Sequence, residues 1–244
     1  MMKESTSPGA AFEGNYYERQ YRRSRLHRRG DNPIVHRSRL RLLRRLVPGG
    51  HLLDVGCGEG HFLRRARAFY EVTGCDVSLD GVAAARRNAG VATVFRASAE
   101  AIPVVDHAFE IVTCFDVIEH MADPGAFFRE ASRVLRPGGL LFITTPNPRS
   151  LGAKLKGRSW HGHMDPTHIS IRSAAAWRSE LAAHGFQIVA DGTDAIWDAP
   201  YLPLVPTVIQ RLVFVGISKL LLMWSPVRAW TLGENYVALV RLTP

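Results

Sequence analysis

The stretch His51-Leu-Leu-Asp-Val-Gly-Cys-Gly-Glu-Gly60 limits the fold more than any other part of the chain. Leu52, Leu53 and Val55 predict a short buried strand. Gly56, Gly58 and Gly60 then strip side chains from a tight turn. Phe62, Leu63, Ala66 and Phe69 recur at helical spacing, predicting a helix to about Tyr70. A strand, a glycine turn and a helix N-terminus make a cradle for a polar ligand. Glycine admits close backbone approach, and the first helical turn offers unpaired N–H groups. The acids around the turn narrow the ligand. Asp54 sits two residues before the first glycine, where a carboxylate would repel a pyrophosphate but suits an ammonium group. Asp76 closes a second strand, Glu71-Val-Thr-Gly-Cys-Asp-Val77, at a position where an acid can hold both hydroxyls of a ribose. The pattern asks for a ribose and a cationic amino-acid end without phosphates. The spacing G-x-G-x-G also departs from the G-x-G-x-x-G of dinucleotide-binding units.

Asp-Val-Gly-Cys-Gly-Glu-Gly60 resembles the first motif of class I S-adenosylmethionine-dependent methyltransferases, and Gly74-Cys-Asp-Val-Ser78 resembles their second. The resemblance covers about residues 45–190 and 235–242. It implies an α/β fold: a Rossmann-like, doubly wound, seven-stranded sheet with an antiparallel last strand. It also implies S-adenosyl-L-methionine as cofactor. Asp54, Gly56, Cys57, Gly58 and Gly60 would then surround its methionine end, with Phe115 beside it. Asp76 and Val77 would meet the ribose, and Ser98 and Ala99 the adenine. The segment Ala97-Ser-Ala-Glu-Ala-Ile-Pro103 is similar to a family G-D-A-E-x-L-P run, with Ser98 in place of the usual aspartate. A serine hydroxyl is a weaker, uncharged acceptor. Leu135-Arg-Pro-Gly-Gly139 is similar to a structural family turn that ends a helix.

Charge divides the chain. Residues 1–50 hold twelve Lys and Arg against four acids, which leaves +8 of the total +9 on this arm. Such an arm can meet phosphates, anionic lipid or nucleic acid, or can simply be solvated. We place a basic helical arm at 1–46 and the main domain at 47–244, with a substrate-side loop at 147–170. Similar methyltransferases fold such arms over cofactor or substrate, which makes Tyr16, Tyr17 and Tyr21 candidate lid residues; packing on the core is the alternative. No specific nucleic acid partner is expected. Cys57, Cys75 and Cys114 have no disulfide-like spacing and fit a reducing cytoplasm. No N-terminal apolar stretch reads as a signal peptide.

Asp116-Val-Ile-Glu-His120 ends a nearly continuous apolar run, Phe109 to Phe115, that suits a central parallel strand. The run resembles the E-V-x-E-H segment of ubiquinone-type O-methyltransferases. Asp116, Glu119 and His120 are candidates for a divalent metal, though the same residues can simply structure the turn, and no resident metal is expected. His120 and His168 are the candidate general bases for a hydroxyl acceptor. In the loop, Trp160 and Asp165 join Tyr17 and Tyr21 as candidate acceptor contacts. The resemblance implies a small-molecule acceptor: a natural product, quinone-like, sugar or lipid-linked compound. A dinucleotide-dependent oxidoreductase and a non-catalytic binding protein are the rival readings.

A final feature lies at 200–230. Thr207 to Trp224 is almost wholly apolar except for Gln210, Arg211, Ser218 and Lys219. The two charges argue against a membrane span. An interfacial membrane helix, a homodimer face, a cap over a hydrophobic acceptor, and burial in the monomer remain open. The expected location is cytoplasmic, with peripheral membrane contact as the variant.

Overall fold

A computed structural model describes residues 32–90, 93–227 and 231–243. Tyr16, Tyr17, Tyr21 and most of the basic arm lie outside the described residues. The strands are β1 (His51–Val55), β2 (Glu71–Asp76), β3 (Val94–Arg96), β4 (Phe109–Phe115), β5 (Leu135–Pro146), β6 (Phe186–Thr193) and β7 (Asn235–Leu242). The helices are α1 (Pro33–Leu46), α2 (His61–Ala66), α3 (Leu79–Ala89), α4 (Pro124–Val134), α5 (Leu151–Lys156), α6 (His161–Met164), α7 (Ala174–Ala183) and α8 (Thr207–Trp224).

One seven-stranded sheet runs β3-β2-β1-β4-β5-β7-β6. β1 pairs parallel with β2 and β4, and β5 continues the parallel set. β7 is antiparallel to both β5 and β6. Successive strands first step outward from β1 to β3, and β4 then returns to the other side of β1. In open α/β sheets this switch point, at the carboxyl ends of the strands, is where ligands bind.

Alternation along the strands builds two cores. Leu52, Ile111, Leu140 and Phe142 meet Leu40 and Leu43 of α1 and Phe62 and Leu63 of α2. Leu53, Val112, Leu141 and Ile143 turn to the opposite face, against Phe127 and Phe128 of α4 and Trp177 of α7. Covering on both faces explains why the central strands read as continuous apolar runs. Each leucine fully buried there contributes about 1.5–3 kcal/mol.

The helices begin where the sequence offers caps. The Asn32 side chain accepts from the N–H groups of Ile34 and Val35, with Pro33 as first residue of α1. Ser78 caps α3 through Gly81 N–H at 3.2 Å, and Ser173 caps α7 through Ala176 N–H at 3.2 Å.

Two local readings change, and a third is decided. The helix after the glycine turn stops at Ala66, and Phe69 is 39% exposed rather than inward. Arg44 stacks over its ring at 3.9 Å, and Tyr70 takes the buried place, donating to Val47 O at 2.8 Å. β5 starts at Leu135, which pairs with Phe109 before the Arg-Pro-Gly-Gly turn breaks the register. α8 has its expected bounds, and the structure decides among the facings left open above. Its inward stripe is Gln210, Ser218 and Leu222, while Val208, Leu212, Leu220 and Trp224 are exposed.

Candidate functional site

Sheet register brings the first carboxylate into place. Asp54 of β1 lies opposite Thr113 of β4, and the Thr113 hydroxyl donates to Asp54 Oδ1 at 2.6 Å. Asp54 is 3% exposed. Burial pushes its carboxyl up to about 7, against the Thr113 hydrogen bond and the Arg39 guanidinium, which pull it down.

The glycine turn leaves β1 through Gly56 and Cys57, whose N–H groups both bond Cys75 O. Gly56 has φ of 70°, and a Cβ there would stand 2.4 Å from a Val117 methyl. Gly60 has φ of 75°, and its Cβ would stand 2.9 Å from Ala85 Cα, so only glycine lets α2 approach α3 this closely. Gly58 N–H donates to Asp76 Oδ2 at 2.8 Å, and Ser78 N–H to Oδ1 at 2.9 Å. Both oxygens of the second carboxylate are thereby fixed by backbone. Cys57 offers the site its main chain, since its side chain packs with Leu63 and against Gly74.

The residues expected at the adenine follow β3. Ala97 N–H bonds Asp76 O at 3.0 Å, which sets the segment beside the second carboxylate. The Ser98 hydroxyl accepts from Glu100 N–H at 3.2 Å, so it closes its own turn. Arg96 donates to Val77 O at 2.9 Å, tying the end of β3 to the turn after β2.

Arg39 is the residue that motif reading missed. It is 8% exposed, lies 3.9 Å above the Phe115 ring and donates to Thr144 Oγ1 at 3.3 Å. Burial lowers its pKa while Asp116, Asp194 and Asp54 oppose the shift. Phe115 is itself held edge-on by Phe62 and Phe142. Its ring is a platform for the guanidinium.

Past β4 the chain turns sharply. Asp116 adopts φ of 57°, a conformation aspartate tolerates better than most residues, and accepts from Thr144 Oγ1 at 3.0 Å. A short 3-10 turn, Ile118–His120, follows. The loop before α7 closes on it through Ile169 and Ser170, whose N–H groups bond Glu119 O.

That closure brings His120 and His168 together, with ring centroids 4.7 Å apart. The Thr167 hydroxyl donates to Asp165 Oδ1 at 2.5 Å, and His120 Nδ1 lies 2.9 Å from the same hydroxyl oxygen and 3.2 Å from Thr167 O. Both neighbours are acceptors for Nδ1, so Nδ1 carries the proton and Nε2 is the basic nitrogen. His168 Nδ1 likewise donates to Gly162 O at 2.8 Å, and its Nε2 is 3.9 Å from Asp165 Oδ2. Burial, then His168, lowers the His120 pKa to about 4. Glu119 is 1% exposed, and burial, then Asp116, raises its pKa well above the usual range. Its Oε2 has no hydrogen-bond partner among the described residues. Glu119, His120 and His168 offer ligand atoms within 4.8 Å of one another, a set able to hold a metal. The weak metal trio of the sequence is thus rearranged: His168 replaces Asp116.

Trp160 was expected to touch the acceptor, but it has no exposed surface. Its Nε1 donates to Glu234 Oε2 at 3.0 Å, and Gly162 packs against its ring. Glu234 also accepts from Tyr201 Oη at 2.7 Å and Gly152 N–H at 3.0 Å. Indole N–H and carboxylate satisfy each other inside the loop, so Trp160 is the anchor that sets the loop's shape.

A family model for the methyltransferase domain matches residues 21–191. Ubiquinone biosynthesis O-methyltransferase of Neisseria meningitidis serogroup A is 36% identical over 114 residues, 42% of this chain and 47% of that protein. The protein of the same name from Chelativorans sp. is 34% identical over 137 residues, 53% of this chain and 54% of that one. The chain therefore spans about half the length of the curated relatives it matches. The crystal structure of a SAM-dependent methyltransferase from Thermotoga maritima shares the fold, with a TM-score of 0.66, 19% identity, and coverage of 92% of this chain and 96% of that one.

Proposed function

This chain belongs to the methyltransferase domain family, and we propose that it moves a methyl group from S-adenosylmethionine to a hydroxyl of a small-molecule acceptor. The cofactor, when bound, supplies an electrophilic methyl on a sulfonium. The chain's own residues suit it. Asp54 is a buried carboxylate whose charge is costly without a cation, and the ammonium of the methionine end is such a cation. Arg39, buried nearby over Phe115, suits the carboxylate of the same end. Asp76, with both oxygens fixed by Gly58 and Ser78, suits the ribose hydroxyls. Ser98 and Ala99 flank the place for adenine.

The observation that carries the hydroxyl reading is the Asp165–Thr167–His120 chain beside His168. It lies just past the carboxyl end of β4, the switch-point strand that also pairs with the Asp54 strand. Both imidazoles present Nε2 as a proton acceptor in a fixed orientation, and Asp165 is placed to stabilise the imidazolium that forms. Burial lowers the His120 pKa to about 4, which keeps its Nε2 lone pair free across the physiological range while reducing its basicity. The two bacterial relatives are O-methyltransferases by name, which supports the same acceptor chemistry. Beyond base catalysis, the protein's share is orientation of two partners at the carboxyl ends of the central strands.

The test is turnover with a panel of phenols, quinols, sugars and lipid-linked hydroxyl compounds. His120→Ala and His168→Ala should each lower kcat by about a hundredfold, the lower range for a general base. Full turnover in both variants sinks the assignment.

A further inference from the structure

We propose that α8 docks this protein on an anionic lipid surface, lying in the plane of the interface. Among the described residues α8 is the one helix long and apolar enough to cross a membrane, yet 17% of it is buried. Its sidedness decides between the occupants. The stripe Gln210, Phe214, Ser218 and Leu222, at steps of four, faces the protein. Gln210 accepts from the N–H groups of Tyr201 and Leu202 and donates to Leu202 O and Val205 O. Ser218 donates to Ile196 O at 2.6 Å, and Arg41 of α1 donates to Met223 O. Bonded to the body at both ends and in the middle, α8 is held on the protein, which does not suit a span. A cap over a hydrophobic acceptor would turn its apolar face inward; this helix turns it outward.

The outward face carries Leu212 at 72% exposure and Trp224 at 83%, together with Val208, Ile217, Leu220 and Met223. Leu204, in the approach loop, is 96% exposed. The charges beside this face have one sign. Residues 199–227 contain Arg211 and Lys219 and no carboxylate. α1, which packs on α8, has exposed Arg37, Arg41, Arg44 and Arg45 and no carboxylate. An apolar face rimmed by cations matches a leaflet of anionic lipid, with apolar side chains among the acyl chains and cations at the headgroups. A two-fold self-association would instead oppose these cations with their own copies and supply no acid to pair them. The inference is independent of the methyl acceptor.

The experiment is co-sedimentation of the full chain with vesicles of phosphatidylcholine alone, or of phosphatidylcholine with phosphatidylglycerol, at low and high salt. We expect binding to the anionic vesicles, weakened by salt, and little to the neutral ones. Lys219→Ala should lower partitioning about fivefold. A Leu212→Glu, Ile217→Glu double variant should lower it by roughly a hundredfold or more. That variant should keep wild-type affinity for S-adenosylhomocysteine by calorimetry, which shows that it is folded. Three results would overturn the proposal. One is no binding to either vesicle; another is equal binding by the double variant, which would leave the basic arm as the sole contact. The third is a dimer seen by light scattering that the double variant dissociates, which would make α8 a face between copies.

Discussion

Replacing Asp54 by asparagine should make the ligand-free protein more stable and the ligand-bound protein harder to form. The Asp54 carboxyl moves from 3.8 to about 7 on folding. At about 1.4 kcal/mol per pKa unit, the rise costs the folded state about 4 kcal/mol once the unfolded carboxyl is fully ionised. The sign follows from proton counting. Below about pH 4 both states hold the proton and the cost is absent; between about pH 4 and 7 the unfolded state has released it and the folded state has not. The cost grows over that window and levels off above it. Asp54→Asn removes the titration but leaves an amide donor beside Thr113 without an acceptor, a penalty of about 1–2 kcal/mol. The variant should therefore be about 1–2 kcal/mol less stable near pH 4 and about 2 kcal/mol more stable near pH 8. Urea unfolding followed by circular dichroism across that range measures both. S-Adenosylhomocysteine should bind the variant about thirtyfold more weakly, equivalent to about 2 kcal/mol for one charge removed opposite an ammonium. A stability difference that does not change with pH would refute the reasoning, since the predicted gain comes entirely from the buried charge.

Two further substitutions probe the frame of the site. Trp160→Ala should lower stability by about 3–5 kcal/mol, because it empties a fully buried volume and leaves Glu234 short of a donor. Thermal melting would show it as a fall of about 10 °C, whereas unchanged melting with a raised KM for the acceptor would restore Trp160 as a surface contact. Gly60→Ala should cost about 3 kcal/mol, combining a left-handed backbone with a 2.9 Å approach to the main chain at Ala85. It should weaken cofactor binding as α2 is forced from α3, and calorimetry with S-adenosylhomocysteine reads that loss.

The sheet and the cofactor cradle were legible because they are local. Strand, glycine turn and acid lie within ten residues from His51 to Gly60, and the second acid closes the next strand. Period-two alternation then separates Leu52 from Leu53 into two cores without further information. What was not legible depends on distant parts of the chain. Trp160 looked like a loop aromatic because its partner, Glu234, is 74 residues away. α8 reads as apolar on nearly every side, and only the backbone groups that bond Gln210 and Ser218 decide which side turns inward. Arg39 did leave a signal. His36, Arg39, Leu40 and Leu43 share the buried stripe of α1, and an arginine in such a stripe needs a charged or aromatic partner. The His120–His168 contact was visible as two candidates but not as a pair, since it forms only when the loop closes on Glu119 O.

The central claim is that Asp54 and Asp76 form the two ends of an S-adenosylmethionine site. It is tested most directly by calorimetric titration of S-adenosylhomocysteine, S-adenosylmethionine and NADH into the wild-type chain and Asp76→Ala. The account predicts binding of both adenosyl ligands, none of NADH, and loss of the adenosyl ligands in the variant. Binding of NADH alone, or adenosyl binding that Asp76→Ala leaves unchanged, would contradict it.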